Sequence, residues 1–357
     1  MNFKIIGGGI AGLASALAVA NAGSQAVVFE KAAKFEPLGA GLQIGPNAAR
    51  ALQMLGAWDA VRPITYAPPE IHMRDGCSGK ILKRLVLGKA FQQKFGLPYL
   101  TAHRADLHEA IFGIAKTKSR IEIHIDTEVN ELSLGGFDGI IAADGVWSKA
   151  REKLFPGTAA IKTKDTYFRS LLPMPSSIGD VNFECVNLWL FPGGHVVHYP
   201  AGDPMLLNLV AINNGVEPKS FFKNASENLQ SVLAIPIHFT KWQSAYIPPL
   251  KQWHQGNITL IGDAAHATLP YLAQGAAMAL EDAALLQTEL QSNATTAFEN
   301  LNARRILRTT KLHKNSMRAG QIYHSSGLPA LSRNAVLKFT PSSIIQKQLD
   351  WIYSYKN

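Results

Sequence analysis

Apolar positions follow two rhythms along this chain. Lys4-Ile5-Ile6 closes a short apolar run that predicts a strand, and Ile10 to Asn21 is apolar almost throughout, which predicts a buried helix stopped by Gly23. Gln25 to Glu30 reads as the next strand. Gly45 to Leu55 predicts a helix opened by Pro46, and Thr101 to Lys116 an amphipathic helix. Glu70 to Leu87 alternates around Asp75-Gly76-Cys77-Ser78-Gly79 and reads as a hairpin. Ile121 to Ile125 and Gly139 to Ala142 are short strands. From about Thr163 to Ile247 the period is mostly two: Phe183 to Phe191, Val196 to Tyr199 and Met205 to Ile212 read as strands, with a helix around Ser220 to Leu233. Ile258 to Ile261 is a buried strand, Gly275 to Leu290 and Thr296 to Gln321 are helices, and Pro341 to Tyr355 could add one more. The pattern is an α/β nucleotide domain that the chain leaves and re-enters, with a mostly antiparallel sheet filling the excursions.

The turn between the first strand and helix carries chemistry. Gly7-x-Gly9-x-x-Gly12 permits a tight turn, leaves bare backbone for a pyrophosphate, and lets helix and strand pack closely. Unpaired N–H groups at the helix start attract phosphate. Glu30, about twenty residues on, is placed to accept hydrogen bonds from a ribose, and its charge disfavours a 2′-phosphate. The blander reading is an ordinary glycine-rich turn.

Three other constellations stand out. Ala142-Ala143-Asp144-Gly145 runs into Ser148-Lys149-Ala150-Arg151, where Ser148 could cap a helix and Arg151 could pair with Asp144. Ile261-Gly262-Asp263-Ala264-Ala265-His266 leads to Gln274-Gly275-Ala276 at the start of a long helix, a place for ligand hydroxyls and a developing anion. Arg104 opens the helix after His103 and could fork onto phosphate or carboxylate, or pair with Asp106 or Glu109.

Bulk composition narrows the classes. The chain has 357 residues, 47% hydrophobic and 17% charged, enough for one large core or two intimately packed domains. No apolar run reaches bilayer length, and the amino end is committed to the glycine turn rather than to a leader peptide. Cys77 and Cys185 give no disulfide framework and no metal pattern, which suits a reducing cytoplasm. The net charge of +9 is scattered except at Arg304, Arg305, Arg308, Lys311, Lys314 and Arg318, read as one solvated helix side rather than a nucleic-acid site.

In this order, the motifs resemble the FAD-dependent aromatic hydroxylases of the p-hydroxybenzoate hydroxylase type, the group A flavoprotein monooxygenases, and within them the salicylate hydroxylases and 6-hydroxynicotinate monooxygenases. The matching segments are Ile5 to Leu13, Gly39 to Leu52, His103 to Leu107, Ala143 to Arg151 and Leu260 to Asp282. The resemblance implies a Rossmann-like FAD-binding domain (residues 1–66, 97–162 and 250–325), interleaved with a β-sheet substrate domain (67–96 and 163–249) and followed by a C-terminal helical tail (326–357). It implies non-covalent FAD held by Gly7, Gly9, Ile10, Ala11, Gly12, Glu30, Lys31, Gln43, Arg104, Val129, Asp144, Gly262, Asp263, Gln274, Gly275 and Ala276. NAD(P)H would be a transient co-substrate, since no second G-x-G-x-x-G occurs. The implied reaction is hydroxylation of a phenol, benzoate or hydroxypyridine by O2 through a flavin C4a-hydroperoxide, in a cytoplasmic monomer or homodimer. The same fold acting on a larger polyketide or isoprenoid, and a flavin-binding protein without oxygenase activity, stay open.

On the substrate side, strand alternation puts His195, Val197 and Tyr199 on one face and His198 on the other. His195 suits accepting a phenolic proton and Tyr199 orienting a substrate oxygen; both could instead be satisfied core groups. Cys185, Leu188, Leu190, Tyr167, Arg169 and Tyr271 are further lining candidates, and His266 reads as a structural hydrogen-bonder. Two departures from the family pattern are the short Asn130 to Asp138 segment, where a hairpin is trimmed, and Ala273, where glycine is common.

Overall fold

A computed structural model describes residues 1–35 and 41–356, so Gly39 and Ala40 of the second matching segment lie outside the described residues. Asn2–Ile6 is the centre of a six-stranded sheet whose spatial order is His254–Gln255, Ile258–Leu260, Gly139–Ala142, Asn2–Ile6, Gln25–Phe29, Ile121–His124. Every pairing is parallel except the outermost, His254–Gln255 with Ile258–Leu260. Helix Ile10–Asn21 fits against it because small residues alternate with Leu13 and Leu17, both fully buried. Each such leucine contributes roughly 1.5–3 kcal/mol relative to exposure. Gly275–Asn293 packs on that helix through Leu280, Ala283 and Ala284.

The second sheet has seven strands, in the order Thr240–Tyr246, Ile161–Pro173, Asp203–Asn213, Gly194–Ala201, Val186–Phe191, Glu70–Asp75, Ile81–Val86. All its pairings are antiparallel but one, Val186–Phe191 with Glu70–Asp75. One face packs Phe168, Trp189, Val196 and Leu209 against helix Glu227–Ala234. The other carries Tyr167, Val197, Val210 and Ile212. A small sheet of Gly41–Ile44, Leu100–His103 and Thr65–Tyr66 joins the two.

Several sequence expectations change. Thr101–His103 is strand, because it pairs with Gly41–Ile44, and the helix starts only at Arg104. The helix expected over Ser220 to Leu233 is two, Pro218–Phe221 and Glu227–Ala234, the second restarted by the Ser226 cap. The tail holds Gly327–Phe339 besides the short Ser342–Lys347 and Asp350–Tyr353. No strand forms between Asn130 and Asp138. Among the described residues no helix is long and apolar enough to cross a membrane.

Candidate active site

The glycine turn shows why each glycine is needed. Gly7 has φ +102°, and a Cβ there would sit 2.5 Å from the Ala143 carbonyl oxygen. A Cβ on Gly12 would sit 1.8 Å from the Gly7 oxygen, so helix and strand approach only without a side chain. Around Gly9 no atom lies within 4 Å of that position, which leaves the backbone bare. Ile10 and Ala11 form the first turn of the helix, where N–H groups lack intrahelical acceptors.

This turn opens into a cleft of about 270 Å³ lined by Gly7, Gly9, Glu30, Lys31, Val129 and Asp144. The Glu30 carboxylate accepts from the Gly8 N–H at 2.6 Å and the Ala32 N–H at 2.8 Å, which fixes it at the cleft wall with acceptor capacity left on both oxygens. Asp144 accepts from the Ala150 N–H at 3.1 Å through Oδ2, while its buried Oδ1 has no partner among the described residues. Ser148 caps the following helix as its position suggested. Arg151 does not pair with Asp144. Its guanidinium donates to the carbonyls of Thr158, Ala264 and Val146, tying this turn to the Gly262 segment, because three converging carbonyls satisfy its fixed fork.

The chain's return from the second sheet meets the first helix beside the cleft, outside the residues that line it. A Cβ on Gly262 would lie 2.8 Å from the Ala11 Cβ, so this turn abuts the first helix. Asp263 is exposed and makes no hydrogen bond or ion pair among the described residues. Gln274 is buried, stands at the N-cap position of Gly275–Asn293 and accepts from the Asn47 amide at 2.9 Å through its side chain. Gly275 and Ala276 are half-buried, and no atom lies within 4 Å of a Cβ built on Gly275. Ala273 takes a left-handed conformation, φ 52° and ψ 40°, where glycine would sit without strain. Gln43 accepts from the Tyr99 hydroxyl and also bonds Tyr199. Arg104 is exposed and pairs with neither Asp106 nor Glu109; Asp106 faces His103 Nδ1 at 3.2 Å instead.

Three buried ion pairs hold this region. Arg305 donates to Glu281 at 2.6 Å and Asp282 at 2.7 Å, and Arg308 grips Glu281 with two bonds. Asp282 accepts from the Gly262 N–H at 3.0 Å and meets His266 Nε2 at 2.6 Å; Glu281 holds Asn47, which holds Gln274. His266 is therefore structural, as read from its position. The expectation that the basic run is one solvated side fails at Arg305 and Arg308, whose buried acceptors lie on the preceding helix.

The second sheet supplies a floor. Register places Tyr167, Ile212, His195 and Leu190 in one row, Arg169, Val210, Val197 and Leu188 in the next, and Leu171, Asn208 and Tyr199 in a third. His195 and Tyr199 thus share a face, as alternation indicated. His198 lies on the opposite face, accepts from Trp189 Nε1 at 3.0 Å, and burial pushes its imidazole down to about 3. His195 is buried among Tyr271, Tyr323 and His324, and that burial holds its imidazole well below the usual histidine value. Burial pushes the Tyr199 hydroxyl up to about 12 against the pull of Arg169. Arg169 lies between the rings of Tyr167 and Trp242, its buried Nε has no partner, and its guanidinium meets no carboxylate among the described residues. Sequence reasoning missed His324, whose Nε2 is 2.9 Å from His195 Nδ1; no local pattern joins positions so far apart in the chain.

A bare-backbone turn, a fixed carboxylate at the cleft wall, an orphaned Asp144 oxygen and an open helix start fit FAD, so the fold and cleft define a flavoprotein. The FAD binding domain model matches residues 227–303. The chain is 32% identical over 98% of its length to 3-hydroxybenzoate 6-hydroxylase of Polaromonas naphthalenivorans, covering 95% of that protein. It is 30% identical to 6-hydroxynicotinate 3-monooxygenase of Bordetella bronchiseptica, over 87% of this chain and 90% of that one. Klebsiella pneumoniae HpxO complexed with FAD and uric acid shares the fold at TM-score 0.87 and 20% identity, over 99% and 97% of the two chains. A salicylate hydroxylase substrate complex does so at 0.82 and 22%, over 100% and 95%. The chain belongs to the FAD-dependent aromatic hydroxylases, the group A flavin monooxygenases. It is an FAD-dependent monooxygenase.

Proposed function

We propose that the protein hydroxylates a small aromatic acid bearing a ring hydroxyl, of the hydroxybenzoate or hydroxypyridine-carboxylate class, with NAD(P)H and O2. The observation that carries this is the floor face, where a neutral histidine, a protonated tyrosine and an unpaired guanidinium share three adjacent rows. Arg169 is half-buried with its Nε buried and unpaired, and a guanidinium drawn out of water without an anion is costly, so Arg169 calls for a carboxylate. His195 takes the phenolic proton and makes the ring more nucleophilic; Tyr199 donates to a substrate oxygen. The names of the relatives, a hydroxybenzoate and a hydroxynicotinate hydroxylase, support the same class.

FAD, when bound, accepts hydride from NAD(P)H and activates O2. In this reading Gly7, Gly9, Ile10, Ala11 and Gly12 hold its pyrophosphate, with Glu30, Lys31 and Val129 at the adenosine end. Asp144, Arg104, Gly262 and Asp263 flank its middle, and Gln43, Gln274, Gly275 and Ala276 its ring. Residues 1–66, 97–162 and 250–325 carry the cofactor, and 67–96 with 163–249 carry the substrate side. The unpaired thiols Cys77 and Cys185 fit a cytoplasmic setting. Asp263→Ala is expected to weaken FAD by about 1.5–3 kcal/mol, roughly ten- to a hundredfold in Kd. Flavin absorbance per protein after purification checks this, and a normal flavin content refutes the role.

The test of the whole reading is a panel. Holoenzyme is offered hydroxybenzoates, hydroxynicotinates and unsubstituted phenol while NADH or NADPH oxidation, oxygen uptake and product are followed. Carboxylated members should stimulate coupled turnover. Arg169→Met should raise their KM by about tenfold or more while leaving phenol unaffected. A panel without stimulation, or an equal effect on phenol, counts against the assignment.

A further inference from the structure

His195 has one polar neighbour through Nδ1, and that neighbour is His324. The contact is built from three sides. A Cβ on Gly320 would lie 2.5 Å from the Tyr271 ring, so the helix Ala297–Tyr323 passes close to that ring and delivers the next turn beside His195. The His324 N–H then donates to the Gly320 carbonyl at 3.0 Å, and its own carbonyl accepts from the Gly193 N–H at 2.9 Å, next to the strand that carries His195. The two rings end 5.1 Å apart, centroid to centroid. His195 is buried, whereas His324 is only half-buried.

We propose that His324 is the outlet through which His195 passes the substrate's phenolic proton to solvent, a positioning residue that acts through His195. This rests on the reading in which His195 accepts that proton. Nδ1 of His195 and Nε2 of His324 face each other, so in the neutral pair one of the two nitrogens carries the shared hydrogen. With the hydrogen on His195, its Nε2 is an acceptor. The phenolic O–H bond breaks and an N–H bond forms at His195 Nε2. The Nδ1–H proton moves to His324 Nε2, and the Nδ1–H of His324 leaves to water. One proton travels from phenol to solvent, the electron pair stays on the phenolate oxygen, and nothing is oxidised or reduced.

The surroundings favour transit over storage. Burial disfavours an imidazolium at His195, so a proton accepted there is passed on. His324 caps the carboxyl end of a 27-residue helix, where unpaired carbonyls stabilise a transient cation. Burial lowers the His324 imidazole too, so the proton does not rest there either; Asp165 favours the charged ring, while Lys164 and Arg333 oppose it. Tyr271 keeps Asp165 in place by donating to Oδ2 at 2.6 Å. Tyr323 contributes its ring to the wall beside His195.

The test uses FAD-loaded wild type, His324→Gln and His324→Ala with 3-hydroxybenzoate as probe. Phenolate absorbance and a pH-indicator dye follow deprotonation on mixing; hydroxylation is measured separately. His324→Gln can still bond to His195 Nδ1 but cannot carry a proton. It is expected to bind the probe with unchanged Kd and to release its proton about a hundredfold more slowly. In His324→Ala, added imidazole should restore part of the rate. A His324→Gln enzyme that releases the proton as fast as wild type, while wild type turns the probe over, overturns the relay alone. Wild type that neither binds nor hydroxylates any panel member overturns the substrate assignment and the relay with it.

Discussion

His195→Ala retains FAD and loses hydroxylation, by a factor of about 10²–10⁴ in the coupled rate. Cofactor binding survives because His195 lies on the floor sheet, outside the cleft formed by the glycine turn. The rate falls because the phenol must then lose its proton to water, although an ordinary phenol titrates only near pH 10. Uncoupling is the expected companion, read as NAD(P)H oxidation and peroxide in excess of hydroxylated product. The pH profile carries a second signature. A base works only when unprotonated, and burial lowers the His195 imidazole below its usual value. The acid limb of kcat/KM in wild type should therefore fall below pH ~6.5, the ordinary histidine value. In His195→Ala that limb disappears and the residual rate climbs with pH toward the phenol's own ionisation. Coupled turnover at the wild-type rate would remove His195 from the chemistry.

What the sequence discloses is local. Gly7, Gly9 and Gly12 act within one strand–turn–helix, so their spacing alone states the turn they build, and the structure assigns each a distinct steric reason. Alternation likewise places His195 and Tyr199 on one face, since the period of a strand does not depend on its partners. Partners across the chain are another matter. The Arg305 and Arg308 spacing describes a helix face equally well whether solvent or a carboxylate lies opposite, and Glu281 and Asp282 lie one helix earlier. Arg151 beside Asp144 suggests an ion pair, yet carbonyls from two other segments converge on the guanidinium first. Thr101 to His103 has a helix-like pattern and becomes strand because Gly41–Ile44 offers it a ladder. His324 had no signal, because its meaning comes from His195 in the folded state.

The largest effect on stability is expected at Arg305. Its side chain is fully buried between Glu281 and Asp282, so Arg305→Met leaves a carboxylate in the interior without its counter-ion. Breaking one side of such a pair costs about 3–5 kcal/mol, far more than any surface arginine. Glu281 keeps Arg308, so the loss falls mainly on Asp282, which retains only His266 and the Gly262 N–H. The pH dependence has a definite sign. Burial alone would raise the Asp282 carboxyl, but His266 and Arg305 hold it below its usual value in the folded chain. A depressed carboxylate contributes stability above its unfolded value of about 3.9, and that contribution is lost as pH falls through the folded one. In Arg305→Met the carboxylate is held down less, so the gap to wild type should be widest near neutrality and should narrow in acid. Asp282→Asn in the same chain should recover part of the loss, since no uncompensated charge then remains. Denaturant melts across pH measure all three chains, and an Arg305→Met midpoint equal to wild type at neutral pH would show that the pair carries no stability. Because Asp282 bonds Gly262 and Glu281 reaches Gln274 through Asn47, the same substitution should loosen both segments proposed to hold the flavin and lower flavin content before the chain unfolds.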